Sequence, residues 1–270
     1  MRIVVLVGRS SHTYERSNHD QRDPDPHLDA PGVTCTYDVH GDPGAATSER
    51  TVLMMVGSPM EAAGFGTLAS HFTDRPVVTY DPRGVGRSKR TDDQTESTPA
   101  QHADDIARVV DALGVGPVDL FASSGGAVNS LALVAARPDL VRTLVAHEPP
   151  LAAYVPDREQ VLAANRDIGE TYQRAGSGPA MAKFLQLVMV EGPVPYVPDV
   201  AALGSAPTRI VVAAGVESAQ QLTGRAAAGF ADALGVELTV FPSHHGGFLG
   251  GEFGQQGEPE AFAARLREVL

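Results

Sequence analysis

Ser123 and Ser124 stand where a predicted strand gives way to a predicted helix. A strained turn between a strand and a helix lifts a serine hydroxyl above the sheet, provided that the residues two positions away on each side are small. Ser124 meets this condition, because Ala122 and Gly126 flank it. Ser123 does not, because Phe121 would occupy one of the crowded positions. The spacing therefore predicts Ser124 as a nucleophile for acyl transfer.

A serine nucleophile needs a general base, and histidine most often fills that role. The segment ELTVFPSHHGGF near the end of the chain supplies two histidines, His244 and His245. His245 directly precedes Gly246 and Gly247, which allow the chain to turn the imidazole into a cleft. We predict His245 as the base and keep His244 as the less favoured alternative.

Acyl transfer also requires hydrogen-bond donors where negative charge develops, and one such donor contributes roughly 3 to 4 kcal/mol. The backbone amide of Gly125 follows the nucleophile and begins the predicted helix, where the dipole favours an anion. A second donor is expected in the segment VLMMVGSPM, where Gly57 and Pro59 shape a turn. That turn would expose the amide of Ser58 or of its neighbour. Gly125 and Ser58 are therefore the predicted oxyanion hole.

Four motifs in order carry a resemblance to a known family. They are the VGSP loop, DPRGVGRS at 81–88, the ASSGG elbow and the C-terminal HGGF. Together they resemble the α/β-hydrolase superfamily across residues 33–270. The resemblance implies a mostly parallel central sheet with helices on both faces, and a loop starting at Asp81 and Arg83 that braces the active site.

The acid that orients the histidine has two candidates. In many superfamily members it follows a late strand, where Ser218 stands here with Glu217 beside it. The other candidate is Glu148 in VAHEPP. An SSGG elbow followed by HE-x-P resembles the zearalenone lactonase subgroup, in which that glutamate orients the catalytic histidine. The resemblance carries this role to Glu148, Glu217 stays the alternative, and His147 is expected to pack on the opposite face of its strand.

A carboxylate at position 148 could accept the far N–H of His245 and stabilise the imidazolium that forms during attack. The chain order Ser124, Glu148, His245 is the order of nucleophile, acid and base that this fold uses. The segment between Glu148 and Gly215 is shorter than the cap expected in the lactonase subgroup, so the identity of the substrate does not transfer.

Apolar, β-branched runs alternate with helical patterns from residue 33 onward, which is typical of a parallel sheet covered on both faces. The predicted strands lie at 33–39, 51–56, 76–80, 118–122, 141–147, 209–214 and 237–241. The clearest predicted helices run from Thr98 to Leu113, with Thr98 as the cap, and from Pro259 to Leu270.

The predicted organisation has three parts. Residues 1–32 form an N-terminal strand and a polar arm, of which 9–31 is expected to be a loop. Residues 33–149 and 207–270 form the α/β core. Residues 150–206 are predicted to be a small helical cap, with helical patterns at about 157–174 and 179–190, above the carboxyl ends of the strands, where open sheets bind ligands.

Composition excludes several classes of function. The 270 residues suit one domain. A formal charge of −12 would repel a polyanion, so nucleic acid is not an expected partner. Cys35 is the only cysteine, which excludes an intrachain disulfide and a thiolate metal cluster.

No stretch approaches the ~18 to 20 apolar residues that span a bilayer, and the N-terminal apolar run is shorter than the roughly 7 to 15 residues of a secretory signal. We therefore expect a cytoplasmic protein without a membrane partner. A homodimer stays open.

These residues predict a serine hydrolase that cleaves an ester or lactone through an acyl-enzyme, without metal or organic cofactor. The expected partner is a small-molecule ester or lactone. Two alternatives stay open: a hydrolase-like binding or accessory protein without turnover, and a C–C hydrolase, acyltransferase or perhydrolase with the same triad.

Overall fold

The computed structural model describes residues 26–94, 96–175 and 196–270. Within these ranges nine strands form one sheet, and every strand predicted from residue 33 onward is found. The predicted N-terminal strand lies outside the described residues. The strands are β1 (His27–Ala30), β2 (Val33–His40), β3 (Leu53–Val56), β4 (Val77–Tyr80), β5 (Lys89–Arg90), β6 (Val118–Ser123), β7 (Val141–His147), β8 (Arg209–Gly215) and β9 (Thr239–Phe241).

The strand order is β1-β2-β4-β3-β6-β7-β8-β9, and β5 pairs with β2. The six strands from β4 to β9 along this order are parallel, whereas β1, β2 and β5 make antiparallel pairs. A mostly parallel sheet with helices is the predicted fold class, and it is confirmed. Because β3, β6, β7 and β8 are parallel neighbours, the loops that follow them meet at one edge of the sheet.

Seven α-helices connect these strands within the described ranges. They are α1 (Gly66–Ser70), α2 (Pro99–Leu113), α3 (Gly125–Ala136), α4 (Arg158–Ala175), α5 (Val200–Ser205), α6 (Leu222–Leu234) and α7 (Pro259–Val269). Helix α2 starts as the sequence predicts: Thr98 caps it, and Gln101 completes a reciprocal capping box. No helix in the described part of the chain is long and apolar enough to cross a membrane.

The alternation of side chains along β3 divides the core between the two faces of the sheet. Met54 and Val56 belong to a core shared with α2, α3 and α6, while Leu53 and Met55 belong to another shared with α1 and α7. Successive strand residues point to opposite faces, so a strand buried on both sides must be apolar throughout. This explains why the central strands are continuous apolar runs.

The prediction of a loop at 9–31 is wrong for the last residues of that range. Residues 27–30 form β1, which pairs antiparallel with β2. The chain reverses through Pro31 and Gly32, and Gly32 has φ 79°, which glycine adopts without steric cost. The tight turn places Leu28 opposite Cys35 and adds a strand to the sheet edge. Residues 1–25 of the predicted arm lie outside the described residues.

The insertion at 150–206 is described in part. The predicted helix at 157–174 is found as α4, whereas the pattern at 179–190 lies outside the described residues. The start of the insertion packs on α6, where Tyr154 meets the ring of Phe230 at 5.3 Å between centroids and Asp157 pairs with Arg225 at 2.6 Å.

Candidate active site

Ser124 lies at the strained turn between β6 and α3. Its backbone has φ 57° and ψ −128°, which residues with a side chain rarely adopt. The crowding that the sequence predicts is present: a Cβ on Gly126 would lie 2.3 Å from the carbonyl oxygen of Val56. The Ser124 amide donates to the carbonyl of His147 at 2.9 Å, which ties the turn to the end of β7.

The two predicted oxyanion donors belong to adjacent backbone segments. A Cβ on Gly125 would approach the carbonyl oxygen of Ser58 to 2.6 Å, so the loop after β3 lies directly against the start of α3. Ser58 also lines the cavity into which Ser124 opens. The amide of Gly125 is the first in α3, where helical N–H groups lack intrahelical partners.

Glu148 and His245 are brought together. Oε2 of Glu148 lies 2.6 Å from Nδ1 of His245, and the glutamate side chain is fully buried while 25% of the histidine side chain is exposed. The Glu148 backbone has φ 49°, a second strained position beside the elbow. A carboxylate on Nδ1 leaves Nε2 of the same ring as the atom that can exchange a proton with a substrate or nucleophile.

The Glu148 carboxylate is held by further donors that the sequence did not indicate. The amide of Gly215 donates to Oε1 at 2.8 Å, and the hydroxyl of Thr223 donates to Oε2 at 2.5 Å. Burial alone would raise the pKa of this carboxyl. The hydrogen bond from His245, the positive charge that His147 and His245 carry when protonated and the bond from Thr223 outweigh burial, so the pKa of Glu148 is held well below its usual range.

The two alternatives kept from the sequence lie elsewhere. Glu217 is exposed at the short turn after β8, and its backbone amide donates to the carbonyl of Ser243. His244 places Nε2 3.2 Å from the carbonyl of Gln256, and its Nδ1 accepts the amide of Gly246. The carboxylate beside the cavity histidine is therefore Glu148 and not Glu217.

His147 does not lie where the sequence placed it. The expectation of packing is right in part, because its ring is buried among phenylalanines, but it lies beside the site and not away from it. Nδ1 is 3.2 Å from the hydroxyl of Ser123, and Nε2 is 3.8 Å from Oε1 of Glu148. Strand β7 ends at His147, and the next residue, Glu148, has a positive φ. Adjacent residues point to opposite faces only within a regular strand, so that rule does not decide where the side chains of His147 and Glu148 lie relative to each other.

A cavity of about 360 Å³ opens above Ser124 and His245. Its wall in the described part of the chain is mainly apolar, a composition typical of small-molecule sites. The apolar lining comprises Pro59, Met60, Val85, Phe248, Leu249 and Phe253. Phe253 stands at the rim with 57% of its surface exposed and φ 54°. Among the residues described, no group of three or more His, Cys, Asp or Glu side chains could hold a metal ion.

Asp81 braces the loop that carries Ser58. Its buried carboxylate accepts the amide of Ala62 at 2.8 Å and both the amide and Nε of Arg87 at 2.8 Å. Arg83 turns the other way and makes a bidentate pair with Asp105 of α2 at 2.7 and 2.8 Å. The loop at 81–88 thus joins the segment that carries Ser58 to α2: Asp81 of the loop accepts from Ala62, and Asp105 of α2 accepts from Arg83.

Residues 50–193 match a family model described as the alpha/beta hydrolase fold, which is more than half of the chain. The chain belongs to the α/β-hydrolase family. Several hundred solved structures resemble it as well. This α/β-hydrolase is therefore identified by both its sequence and its architecture.

One relative found by sequence and two solved structures are similar to this chain over most of its length. The protein named "Uncharacterized hydrolase YraK" from Bacillus subtilis (strain 168) is 27% identical over 247 residues, 82% of this chain and 89% of the relative. A thermophilic esterase from Thermogutta terrifontis has a TM-score of 0.63 at 17% identity, over 87% of this chain and 92% of its own. Est816, described as an N-acyl homoserine lactone degrading enzyme, has a TM-score of 0.62 at 20% identity, over 91% and 100%. These two structures share the fold.

Proposed function

We propose that this α/β-hydrolase cleaves a small-molecule ester or lactone through an acyl-enzyme, with Ser124 as nucleophile, His245 as general base and Glu148 as the orienting acid. The observation that carries the proposal is the 2.6 Å contact between His245 and buried Glu148, on a histidine that lines the same cavity as Ser124. A strained serine, a cavity histidine and an ionised acid are the groups that acyl transfer requires.

In the proposed reaction, Oγ of Ser124 attacks the substrate carbonyl carbon while its proton passes to Nε2 of His245. Glu148 stabilises the resulting imidazolium through Nδ1, and the amides of Gly125 and Ser58 donate to the oxyanion. Collapse of the tetrahedral intermediate breaks the bond to the alcohol oxygen, which takes the proton from His245. A water molecule then attacks the acyl-enzyme carbonyl while His245 takes its proton. The second tetrahedral intermediate collapses, Oγ of Ser124 takes that proton from His245, and the carboxylic acid is released.

The substrate class is argued from two features. The lining of the cavity favours an uncharged, largely apolar substrate. The ASSGG elbow followed by HEPP resembles the zearalenone lactonase subgroup, which is why a lactone stands beside a simple ester. A lactone differs only in that the leaving alcohol stays attached to the acyl group.

The nucleophile is tested without knowledge of the natural substrate. A fluorophosphonate should label Ser124 in the wild type, read by mass spectrometry of the labelled peptide, and Ser124→Ala should take up no label. Ser123→Ala is the matched control, since the adjacent hydroxyl is removed while the nucleophile stays. Labelling at Ser123 in the wild type, or unchanged labelling of Ser124→Ala, contradicts the assignment.

The acid is tested on a panel of activated aryl esters and of aliphatic and aromatic lactones. Glu148→Ala should lower kcat by several orders of magnitude, because the histidine loses the group that fixes its tautomer. Glu217→Ala should match the wild type. Equal losses in both variants would remove Glu148 from this role, and folded wild type that binds a small molecule without turnover would instead favour an accessory binding protein.

A further inference from the structure

His147 is a polar ring in an aromatic environment. Its side chain is fully buried, and Phe121, Phe241, Phe248 and Phe262 surround it at 5.3 to 6.2 Å between ring centroids. For packing alone, a phenylalanine or leucine would serve at this position without burying ring nitrogens. A buried polar group is costly unless it makes polar contacts, so the contacts of its two nitrogens indicate its use.

The two nitrogens of His147 face the neighbour of the proposed nucleophile and the proposed acid itself. Nδ1 lies 3.2 Å from the hydroxyl of Ser123, the residue before the nucleophile. Nε2 lies 3.8 Å from Oε1 of Glu148, which is longer than a hydrogen bond but close enough for an electrostatic interaction with the carboxylate. The ring is also stacked on His245, with 5.9 Å between centroids and 27° between planes. One imidazole thus lies next to the elbow, the acid and the base.

The Glu148 carboxylate is held at both oxygens. Oε2 faces His245 and Thr223, while Oε1 faces the amide of Gly215 and Nε2 of His147. These contacts fix the direction of the Glu148 side chain. They also help to hold its backbone at a positive φ, which persists only where neighbouring groups constrain it. Within the described residues, the titratable groups facing the His147 ring are Glu148 and His245, and its other ring neighbours are phenylalanines.

We propose that His147 is a positioning residue that holds the Glu148 carboxylate against His245 and ties it to the nucleophile elbow through Ser123. The tautomer required carries its proton on Nε2, directed at Oε1 of Glu148, and accepts the Ser123 hydroxyl at Nδ1. Two Ser–His pairs then share one glutamate, and of the two histidines only His245 lines the cavity. This inference rests on the proposed function, and it adds a residue to which sequence reasoning gave no catalytic part.

The test compares His147→Phe, which keeps the aromatic shape, with His147→Gln, which keeps a polar end. His147→Phe should lower kcat by roughly 10- to 100-fold with KM unchanged. It should also move the acidic limb of kcat/KM to lower pH, because a displaced carboxylate supports the imidazolium less. His147→Gln should recover most of kcat. Phe241→Leu is the packing control, since it alters a neighbour of the ring without removing a nitrogen, and it should leave the pH profile unchanged.

A second readout does not depend on turnover. The Nδ1–H of His245 in its short bond to Glu148 should give a far-downfield proton resonance in the wild type and in Phe241→Leu, and this resonance should shift or vanish in His147→Phe. An unchanged resonance together with wild-type kinetics in His147→Phe overturns the positioning role. Absence of fluorophosphonate labelling in the wild type overturns the proposed function instead, and the resonance still decides the role of His147.

Discussion

Four residues other than glycine have positive φ in the described part of the chain, and all lie in segments that build the site. They are Ser124, Glu148, Ser243 and Phe253, with φ between 49° and 65°. Each such position costs about 1 to 3 kcal/mol, and it persists only where neighbours over-determine the backbone. At Ser124 the strain directs the hydroxyl into the cavity, and at Glu148 it turns the carboxylate from the strand towards His245. The strain is therefore concentrated where geometry matters for chemistry.

Thr223 supplies the residue-scale prediction. Thr223→Val keeps the shape of the side chain but removes the hydroxyl that donates to Oε2 of Glu148. A hydrogen bond to a charged group is worth about 1.5 to 3 kcal/mol, so we expect kcat to fall roughly 10-fold with little change in KM. The loss of this donor should also raise the pKa of Glu148 relative to the wild type, because the bond lowers it. Steady-state kinetics and carboxyl NMR measure the two effects.

Thr208→Val is the matched control for this substitution. Thr208 is also buried, and its hydroxyl donates to the carbonyl of Val141 at 2.8 Å, at the start of β7, whereas Glu148 follows the end of that strand. We expect this variant to lose stability while keeping kcat. If both variants lost activity equally, the effect of Thr223→Val would be a general loss of packing.

The contrast between Ser124 and Thr223 shows how far the sequence reaches. The position of Ser124 at the strained turn was predictable because the signal lies in nearby sequence. Small residues two positions away on each side allow the strand and the helix to approach each other. Thr223 carries no such signal, since its contact depends on where α6 begins relative to the end of β7. His147 was misjudged for a related reason, because the chain leaves the regular strand at Glu148. Motifs along the chain, and the Glu148–His245 pair that the family resemblance implied, were predictable, whereas the contacts of Thr223 and His147 with Glu148 were not.

At the scale of elements, the loop at 81–88 supports the segment that carries Ser58, which is part of the proposed oxyanion hole. Asp81→Asn keeps the size of the side chain but places an amide where Ala62 and Arg87 now donate. A buried donor left without its acceptor costs about 1 to 3 kcal/mol, so we expect lower stability in urea unfolding. The turn before Ala62 carries Ser58, and its displacement should lower kcat about 10-fold, because donors aimed at the oxyanion must keep their positions.

Asp38→Asn separates this effect from a loss of the ion pair with Arg87. Asp38 also accepts from Arg87, at 2.6 and 2.8 Å, but it is partly exposed and makes no bond to Ala62. An exposed pair is worth little, so this variant should stay near the wild type in stability and in kcat. Equal losses of kcat in the two variants would show that Arg87, and not the bond to Ala62, supports the site.

The helix α2 and the β1–β2 turn are joined to the same loop by Arg83. Its guanidinium is buried with Asp105, which is buried as well, and its far end approaches the carbonyl of Pro31 at 3.4 Å. Breaking a buried pair by removing one partner leaves an uncompensated charge. The arrangement explains why the DPRG motif is a structural signal: one arginine fixes three elements beside the site.

At the scale of the whole molecule, stability should depend on pH through His102 of α2. Burial, together with the nearby positive charges of Arg83 and Arg90, lowers the pKa of His102 from 6.5 to about 4. Its Nδ1 is buried and makes no hydrogen bond within the described ranges, so protonation in the folded state gains no acceptor there. The folded chain therefore resists a proton that the unfolded chain accepts.

The sign of the effect follows from this depressed pKa. Above pH 6.5 both states are neutral at His102 and the stabilisation is complete, whereas below it the unfolded state alone binds the proton until about pH 4. We expect the wild type to lose roughly 2 to 3 kcal/mol of unfolding free energy from this group across that window. His102→Phe and His102→Gln should both flatten the loss, because neither side chain titrates, although the two differ in how well they pack. Urea unfolding of the wild type and both variants at pH 6.5 and about pH 4 gives the unfolding free energy of each protein. The titration of all other groups cancels in the difference between each variant and the wild type. A stability difference that is the same at both ends would mean that packing, and not protonation, is what His102 contributes.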